Sequence, residues 1–347
     1  MRFLIDYHHA DLAHSFALTL GRFGVEVLHP YGMDWFPEFW AFERERHADA
    51  IARQYLLGIW AGAEPVDGIV TIADTRHPGY LIRGVTLEAA RSMDWDALIA
   101  SVPANAPGFS RLAREVGARW GLHVGNQWGH EAWDLTPDFA ILSTTSPVPA
   151  GIPHVVVHQE FSLDDFRFEP PTGFGPVRSF VNCFPEMDSE YAGNFLPLAR
   201  ATPEFGWEVY GAYGTAERDE FAAGELHGTP TIGAAMRGAG AIWHAKHWSD
   251  GFGHVIHNAF AVGRPVFGYQ RYYEDKLAGP LWVDGLTSYD VETRTTDEVV
   301  GLLRTLRDEP ERYLAMCEAS AARFREVVSF DEDATKIADL LGLAVFA

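Results

Sequence analysis

Cysteine is nearly missing from this 347-residue chain: there are two, Cys183 and Cys317, far apart and with no CxxC spacing. That excludes a disulfide framework and a cysteine-built zinc site. Lysine is almost as scarce, with only Lys246, Lys276 and Lys336, so the position of each is informative. Basic residues (27) are outnumbered by acidic ones (48), giving a net charge of −21. With no basic face to grip a phosphate backbone or an anionic membrane, a nucleic acid would need a local patch and is disfavoured as a partner. The chain has no apolar run of about 18 residues, and MRFLIDYHHA lacks a charged-then-apolar leader. The expectation is a cytoplasmic protein with no membrane insertion. No GxGxxG follows the first apolar run, which disfavours a dehydrogenase.

The composition that remains is globular, 47% hydrophobic and 22% charged. The length suits two domains at roughly 150 residues each. Arg2–Asp6 reads as a strand, Leu12, Phe16, Leu20 and Phe23 as one face of a helix ended by Gly24, and Val25–Leu28 as a second strand. That spacing makes a βαβ unit with a parallel pair. Further strands are expected at 68–72, 97–102, 122–124, 139–142 and 154–157, with helices between several of them. Pro and Gly are dense over 169–176, read as a linker, and a second α/β series follows with strands at 178–181, 207–210, 241–243 and 265–267. The tail reads as helical over 296–328 and again over 331–341. The expected fold is α/β with two Rossmann-like domains facing across a cleft: residues 1–168, a linker at 169–176, residues 177–330, and a helix at 331–347 packing back on the first domain.

The most informative stretch is Gly238 to Gly268. An apolar strand, Ala241-Ile242-Trp243, leads through a polar loop to Ser249-Asp250-Gly251-Phe252-Gly253. A helix follows, with Val255, Ile256, Ala259, Phe260 and Val262 as its buried face, and ends at Gly263. Glycines just ahead of a helix let a ligand approach exposed main-chain N–H groups, and the helix dipole favours an anion there. A diphosphate suits that place.

This segment resembles the donor-binding segment of GT-B glycosyltransferases of the family 4 (group 1) type. That family carries an acid, Gly-Phe-Gly, a helix with a second acid eight positions after the first, and then Gly-x-Pro-Val. Asp250, Gly251-Phe252-Gly253 and Gly263-Arg264-Pro265-Val266 match, and the resemblance extends over about 177–341. It implies a GT-B fold and a transferase acting on a nucleotide sugar, a UDP- or GDP-sugar, as substrate, with no cofactor and no metal. At the positions that match, the donor-binding residues are Asp250, Gly251, Phe252, Gly253 and Asn258; Lys246, Ser249 and His254, which flank the glycine turn, are added as donor-binding candidates on their place in the sequence. Two departures stand out. The second acid is Asn258, which lacks the charge-assisted strength of a carboxylate. The family's Arg/Lys pair has no counterpart in Asn182–Asp188, so Lys246 or Arg271 would have to offset the diphosphate. A sugar-nucleotide epimerase and a non-catalytic nucleotide-sugar-binding protein derived from a transferase stay open as alternatives.

In the first half, Asp6-Tyr7-His8-His9-Ala10-Asp11 follows the first strand. His8 or His9 is a candidate general base on an acceptor hydroxyl, because imidazole titrates near neutrality; the alternative is a helix-capping turn. Asp74, in Asp74-Thr75-Arg76-His77 after another strand, is a further catalytic candidate, and Asn126-Gln127-Trp128 a further acceptor loop. Trp35, Phe36, Phe39 and Trp40 line an acceptor groove or cover the sheet. His244, His247, His254 and His257 form two HxxH pairs with no completing carboxylate or cysteine pattern, which argues against zinc. The acceptor (protein, glycan, small molecule or modified DNA base) and the oligomeric state are left open.

Overall fold

In β1 (Arg2–Ile5), alternate residues point to opposite sides of the sheet. Phe3 and Ile5 join Leu12, Phe16 and Leu20 of helix α1 (Ala10–Gly21), while Leu4 joins a separate cluster on the other face with Phe109 and Leu112. Both faces of the sheet are thus covered, as a doubly wound parallel sheet requires. The computed structural model describes residues 1–6, 10–32, 35, 60, 62–101, 103–125, 132–180, 191–211, 220–247 and 250–343.

The chain divides into two units, residues 1–161 with 330–347, and residues 162–329. The first carries β1, β2 (Glu26–Pro30), β3 (Ile69–Ala73), β4 (Leu81–Val85), β5 (Ala97–Ala100), β6 (Arg119–Val124), β7 (Phe139–Leu142) and β8 (His154–Val156). They form one sheet in the order β3-β4-β2-β1-β5-β6-β7-β8. β1 pairs in parallel with β2 and with β5, as the βαβ spacing predicts. The pair β3–β4 is antiparallel, and β4 has no counterpart in the sequence reading. Its exposed Leu81 and half-buried Arg83 blur the apolar run that a buried strand would show. Helices α2 (Leu87–Arg91) and α3 (Ala106–Val116) belong to this unit, α3 opening with Pro107 in its first turn and ending on Gly117 at φ 72°.

The second unit has β9 (Val177–Phe180), β10 (Glu208–Tyr210), β11 (Ala222–Gly224), β12 (Ala241–His244), β13 (Val266–Gly268) and β14 (Ser288–Asp290), ordered β11-β10-β9-β12-β13-β14 and parallel throughout. Its helices are α4 (Leu196–Ala201), α5 (Thr229–Arg237), α6 (His254–Ala261), α7 (Thr296–Asp308) and α8 (Pro310–Val327). The continuous helix expected over 296–328 is two. Pro310 has no N–H to donate and its ring excludes the preceding turn, so Glu309 leaves helical geometry at φ −115°, ψ 79°. Both pieces are strong in themselves: α7 starts on a capping box between Thr295 and Glu298.

The turn-rich 169–176 stretch lies inside the second unit. Arg264, 2% exposed, donates to the carbonyls of Glu169, Arg237, Ala239 and Val262 and so ties that stretch to the core. Arg237 also holds the Asp165 carbonyl, and Gly233 is the only size that fits beneath it, since a Cβ there would lie 2.1 Å from the Asp165 oxygen. The division therefore falls before residue 162, not at 169. The last helix, α9 (Phe330–Leu341), contributes Ala334, Ile337, Ala338 and Leu341 to the same core cluster as Phe3 and Phe16 of the first unit.

Candidate functional site

β12 runs Ala241–His244 through the middle of the second sheet, and the chain after it, with α6, carries the glycine motif. Asp250 is the hub of this loop. Lys246 Nζ lies 2.5 Å from its Oδ1, His244 Nε2 lies 2.8 Å from its Oδ2, and the Tyr273 hydroxyl donates to the same Oδ2 at 2.7 Å. Its amide donates to the Tyr272 hydroxyl at 3.0 Å, and its carbonyl accepts from Lys276 Nζ at 2.6 Å. Burial alone would raise the Asp250 carboxyl, but the Lys246 charge and the His244 hydrogen bond hold it well below the usual carboxylate range. His244 is lowered by burial, with Asp250 working against that and Lys246 adding to it.

Gly253, at φ 78°, is the left-handed residue that opens α6. A side chain there would be strained, and its Cβ would stand 3.4 Å from the Tyr273 ring. The turn is more closed than the sequence suggests: Gly251, Phe252 and Gly253 are all buried. Tyr272 and Tyr273, from the short helical turn Gln270–Tyr273, close against it. Even so, the amides of Gly251 and Gly253 have no acceptor among the described residues. Buried backbone donors left this way are rare in native folds.

The other donor-site candidates divide. Phe252 is 3% exposed and stacked on His257 at 3.9 Å, so its ring packs the interior. His254, half-buried, meets the edge of Phe252. Asn258, one turn further along the same helix face, has its side-chain oxygen buried with no hydrogen-bond partner among the described residues. Ser249 lies outside the described residues. Arg271 is exposed on a groove of about 460 Å³ lined also by Gln270, Glu274, Asp290, Glu292 and Arg294. The HxxH histidines have separate partners: His247 stacks on Tyr269 and reaches Glu292, and His257 contacts the Gly253 carbonyl. Among the described residues no group of three or more His, Cys, Asp or Glu is placed to hold a metal ion.

Sequence reasoning left out Lys276, Tyr272 and Tyr273. The lysine had a signal, being one of three in the chain; the tyrosines had none.

In the first unit, His8, His9 and Asn126-Gln127-Trp128 lie outside the described residues, as do Phe36, Phe39 and Trp40. Trp35 is buried and donates to the Val85 carbonyl, the covering role rather than the groove. Asp74, 6% exposed, accepts from the amides of Arg76 and His77 and pairs with His77 Nδ1 at 2.7 Å. This turn joins the antiparallel strands β3 and β4 and touches α1. There His77 Nε2 lies 3.3 Å from Asp11, and its ring stacks on His14 at 3.8 Å. Burial would lower His77, but Asp11 and Asp74 raise it to about 9, so it is an imidazolium clamped between two carboxylates. His29, buried against the Ile5 carbonyl, is pushed down by burial to about 4. Asp6 ties the end of β1 to the Ser101 amide and to Asn105.

No family model and no curated protein sequence matches this chain. Solved structures do. Anabaena HepE in complex with UDP and glucose is 12% identical with a TM-score of 0.65, covering 99% of this chain and 99% of that one. Sucrose-phosphate synthase from Thermosynechococcus elongatus is 10% identical with a TM-score of 0.64, covering 98% of each. S. aureus TarM, in a complex that includes UDP, is 8% identical with a TM-score of 0.64, covering 98% and 99%. At that distance the likeness speaks to architecture, and the architecture is the GT-B fold, in agreement with the sequence resemblance.

Proposed function

We propose that this protein is a nucleotide-sugar glycosyltransferase, with the donor bound by the second unit and the acceptor by the first. The observation that carries the reading is the pair of buried amides at Gly251 and Gly253 with no acceptor among the described residues, at the start of α6 and next in sequence to Asp250, which holds two ammonium groups. A diphosphate is the ligand that such a set satisfies. The UDP in the HepE and TarM complexes supports a uridine donor, with GDP-sugars as the other candidates.

In this reading the glycine amides and the lysine ammonium groups stabilise charge on the leaving diphosphate, and no metal is needed for that task. Asn258 takes a ribose hydroxyl with its unpartnered oxygen, and Asp250, Ser249 and His254 border the sugar. His8 or His9, between β1 and α1, takes the acceptor proton. Asp74 acts at one remove, by orienting His77 against Asp11 in the first turn of α1. The acceptor class is the open variable.

One observation favours a second reading. Asp250 is already satisfied by Lys246, His244 and Tyr273, which suits a protein that binds a nucleotide sugar without turning it over. A thermal-shift screen over UDP, GDP and their sugars, followed by a donor-hydrolysis assay, separates the two. Stabilisation with release of free sugar supports the transferase, stabilisation alone supports the binding protein, and conversion of the sugar without acceptor supports an epimerase. No shift with any nucleotide removes all three.

A further inference from the structure

Two ammonium groups face one carboxylate in the second unit. Lys246 is paired with Asp250 Oδ1. Lys276 Nζ, in a residue only 7% exposed, donates to the Asp250 carbonyl and sits 3.2 Å from the centre of the Tyr272 ring, with no carboxylate in ion-pair contact among the described residues. An ammonium has three N–H donors, and here one has a hydrogen-bond acceptor. The aromatic face attracts the charge without replacing a counter-ion. Burial accordingly pushes Lys276 down to about 8, against the pull of Asp250 and Asp275 and with the push of Lys246. The carbonyl that it holds belongs to the peptide whose nitrogen is the Gly251 amide. The surplus cation and the two unpartnered amides therefore belong to the same turn, the cation at the oxygen edge of the 250–251 peptide and the Gly251 N–H at its opposite edge.

We infer that Lys276 is the residue that receives the donor's diphosphate, in the role for which the chain has no Arg/Lys pair after β9. The inference rests on the nucleotide-sugar reading above and names the group that carries its charge. Without a ligand the ammonium is desolvated and short of a counter-ion; a phosphate oxygen supplies one and accepts the remaining N–H groups. Lys246 cannot serve equally, because its charge is already matched by Asp250. The groups that face Lys276 are Asp250 and Lys246 from the loop after β12, and Tyr272, Tyr273 and Asp275 from its own segment; His244 acts on it through Asp250.

Three lysines in the chain make the test direct. Protein labelled with carbon-13 at the lysine ε position gives three signals, assigned with Lys276→Arg and Lys336→Arg variants. In the free protein the Lys276 signal should titrate at least one unit below the ordinary lysine value of about 10.4. With saturating UDP its midpoint should rise by more than one unit, and UDP affinity measured calorimetrically should fall about tenfold between pH 7 and 9.5. Lys276→Met should weaken UDP at least tenfold at pH 7 and flatten that pH profile, with Lys276→Arg retaining most of the affinity. UDP that binds while the Lys276 midpoint stays still overturns this inference and leaves the nucleotide-sugar reading intact; that titration uses the unaltered protein, so it decides even if the Met variant misfolds. Absence of binding by UDP, GDP and their sugars overturns both.

Discussion

The Lys246 ammonium lies 2.5 Å from Asp250 Oδ1, with both side chains largely buried. The pair closes a loop in which His244 and Tyr273 also meet the Asp250 carboxylate while Tyr272 and Lys276 hold its backbone amide and carbonyl, so this residue organises the glycine turn before any ligand arrives.

Asp250→Asn should therefore leave two buried ammonium groups facing no anion and cost about 3 kcal/mol, the scale of a broken buried pair. The carboxyl is lowered in the folded state, so its contribution is present above the unfolded carboxylate range and is lost as pH falls through the folded value. Urea unfolding should show a deficit that is constant from pH 6 to 8 and shrinks in acid.

Two histidines of the first unit pull in opposite directions. His77 is raised to about 9, so its stabilisation is complete below about 6.5 and is lost as pH rises through 9. His29 is lowered to about 4, so its contribution is complete above about 6.5 and is lost as pH falls through 4. His77→Gln should cost on the order of 2–3 kcal/mol at pH 6 and little at pH 10. His29→Gln should show its full effect at pH 7 and a reduced one at pH 4. Chemical denaturation of both variants across that range checks the signs.

Asn258→Ala distinguishes a ligand contact from a packing contact. Its side-chain oxygen has no partner within the described fold, so removing it should leave unfolding stability unchanged or slightly higher. UDP affinity should fall about tenfold, or roughly 1.4 kcal/mol by calorimetry.

Gly253→Ala should lower stability by roughly 1–2 kcal/mol, the cost of placing a Cβ in the left-handed region. With Tyr273 3.4 Å away, a bulkier residue would have to displace that ring and the hydrogen bond that it gives Asp250. Thermal unfolding and UDP titration should fall together in this variant.

Arg264→Lys should cost about 2–4 kcal/mol, because one ammonium cannot reach the carbonyls of Glu169, Arg237, Ala239 and Val262 at once. Faster proteolysis near 169–176 should accompany the loss.

The regular elements were legible where apolar periodicity was strong, as in β1, α1, β7 and the helix after Gly253. Strands such as β4 and β14 escaped because half-exposed or very short strands lack a distinctive apolar run. The break between α7 and α8 was written in Pro310, yet the amphipathic pattern on both sides overrode it. For the site, the glycine turn and Asp250 could be read from spacing alone. What covers them could not: Tyr272, Tyr273 and Lys276 come from a different loop, after β13. The His77 clamp was hidden for the same reason, since Asp11 and Asp74 are 63 positions apart and meet only through an antiparallel turn.

Because α9 completes the core built around Phe3 and Phe16, the chain segments of the first unit are separated by the whole of the second. On the ribosome, the strands of the first unit are therefore made long before the helix that closes their core. Release of residues 330–343 from the exit tunnel is then the event that seals the first unit, and a chain stalled before that point would expose the apolar flank of α1 to chaperones.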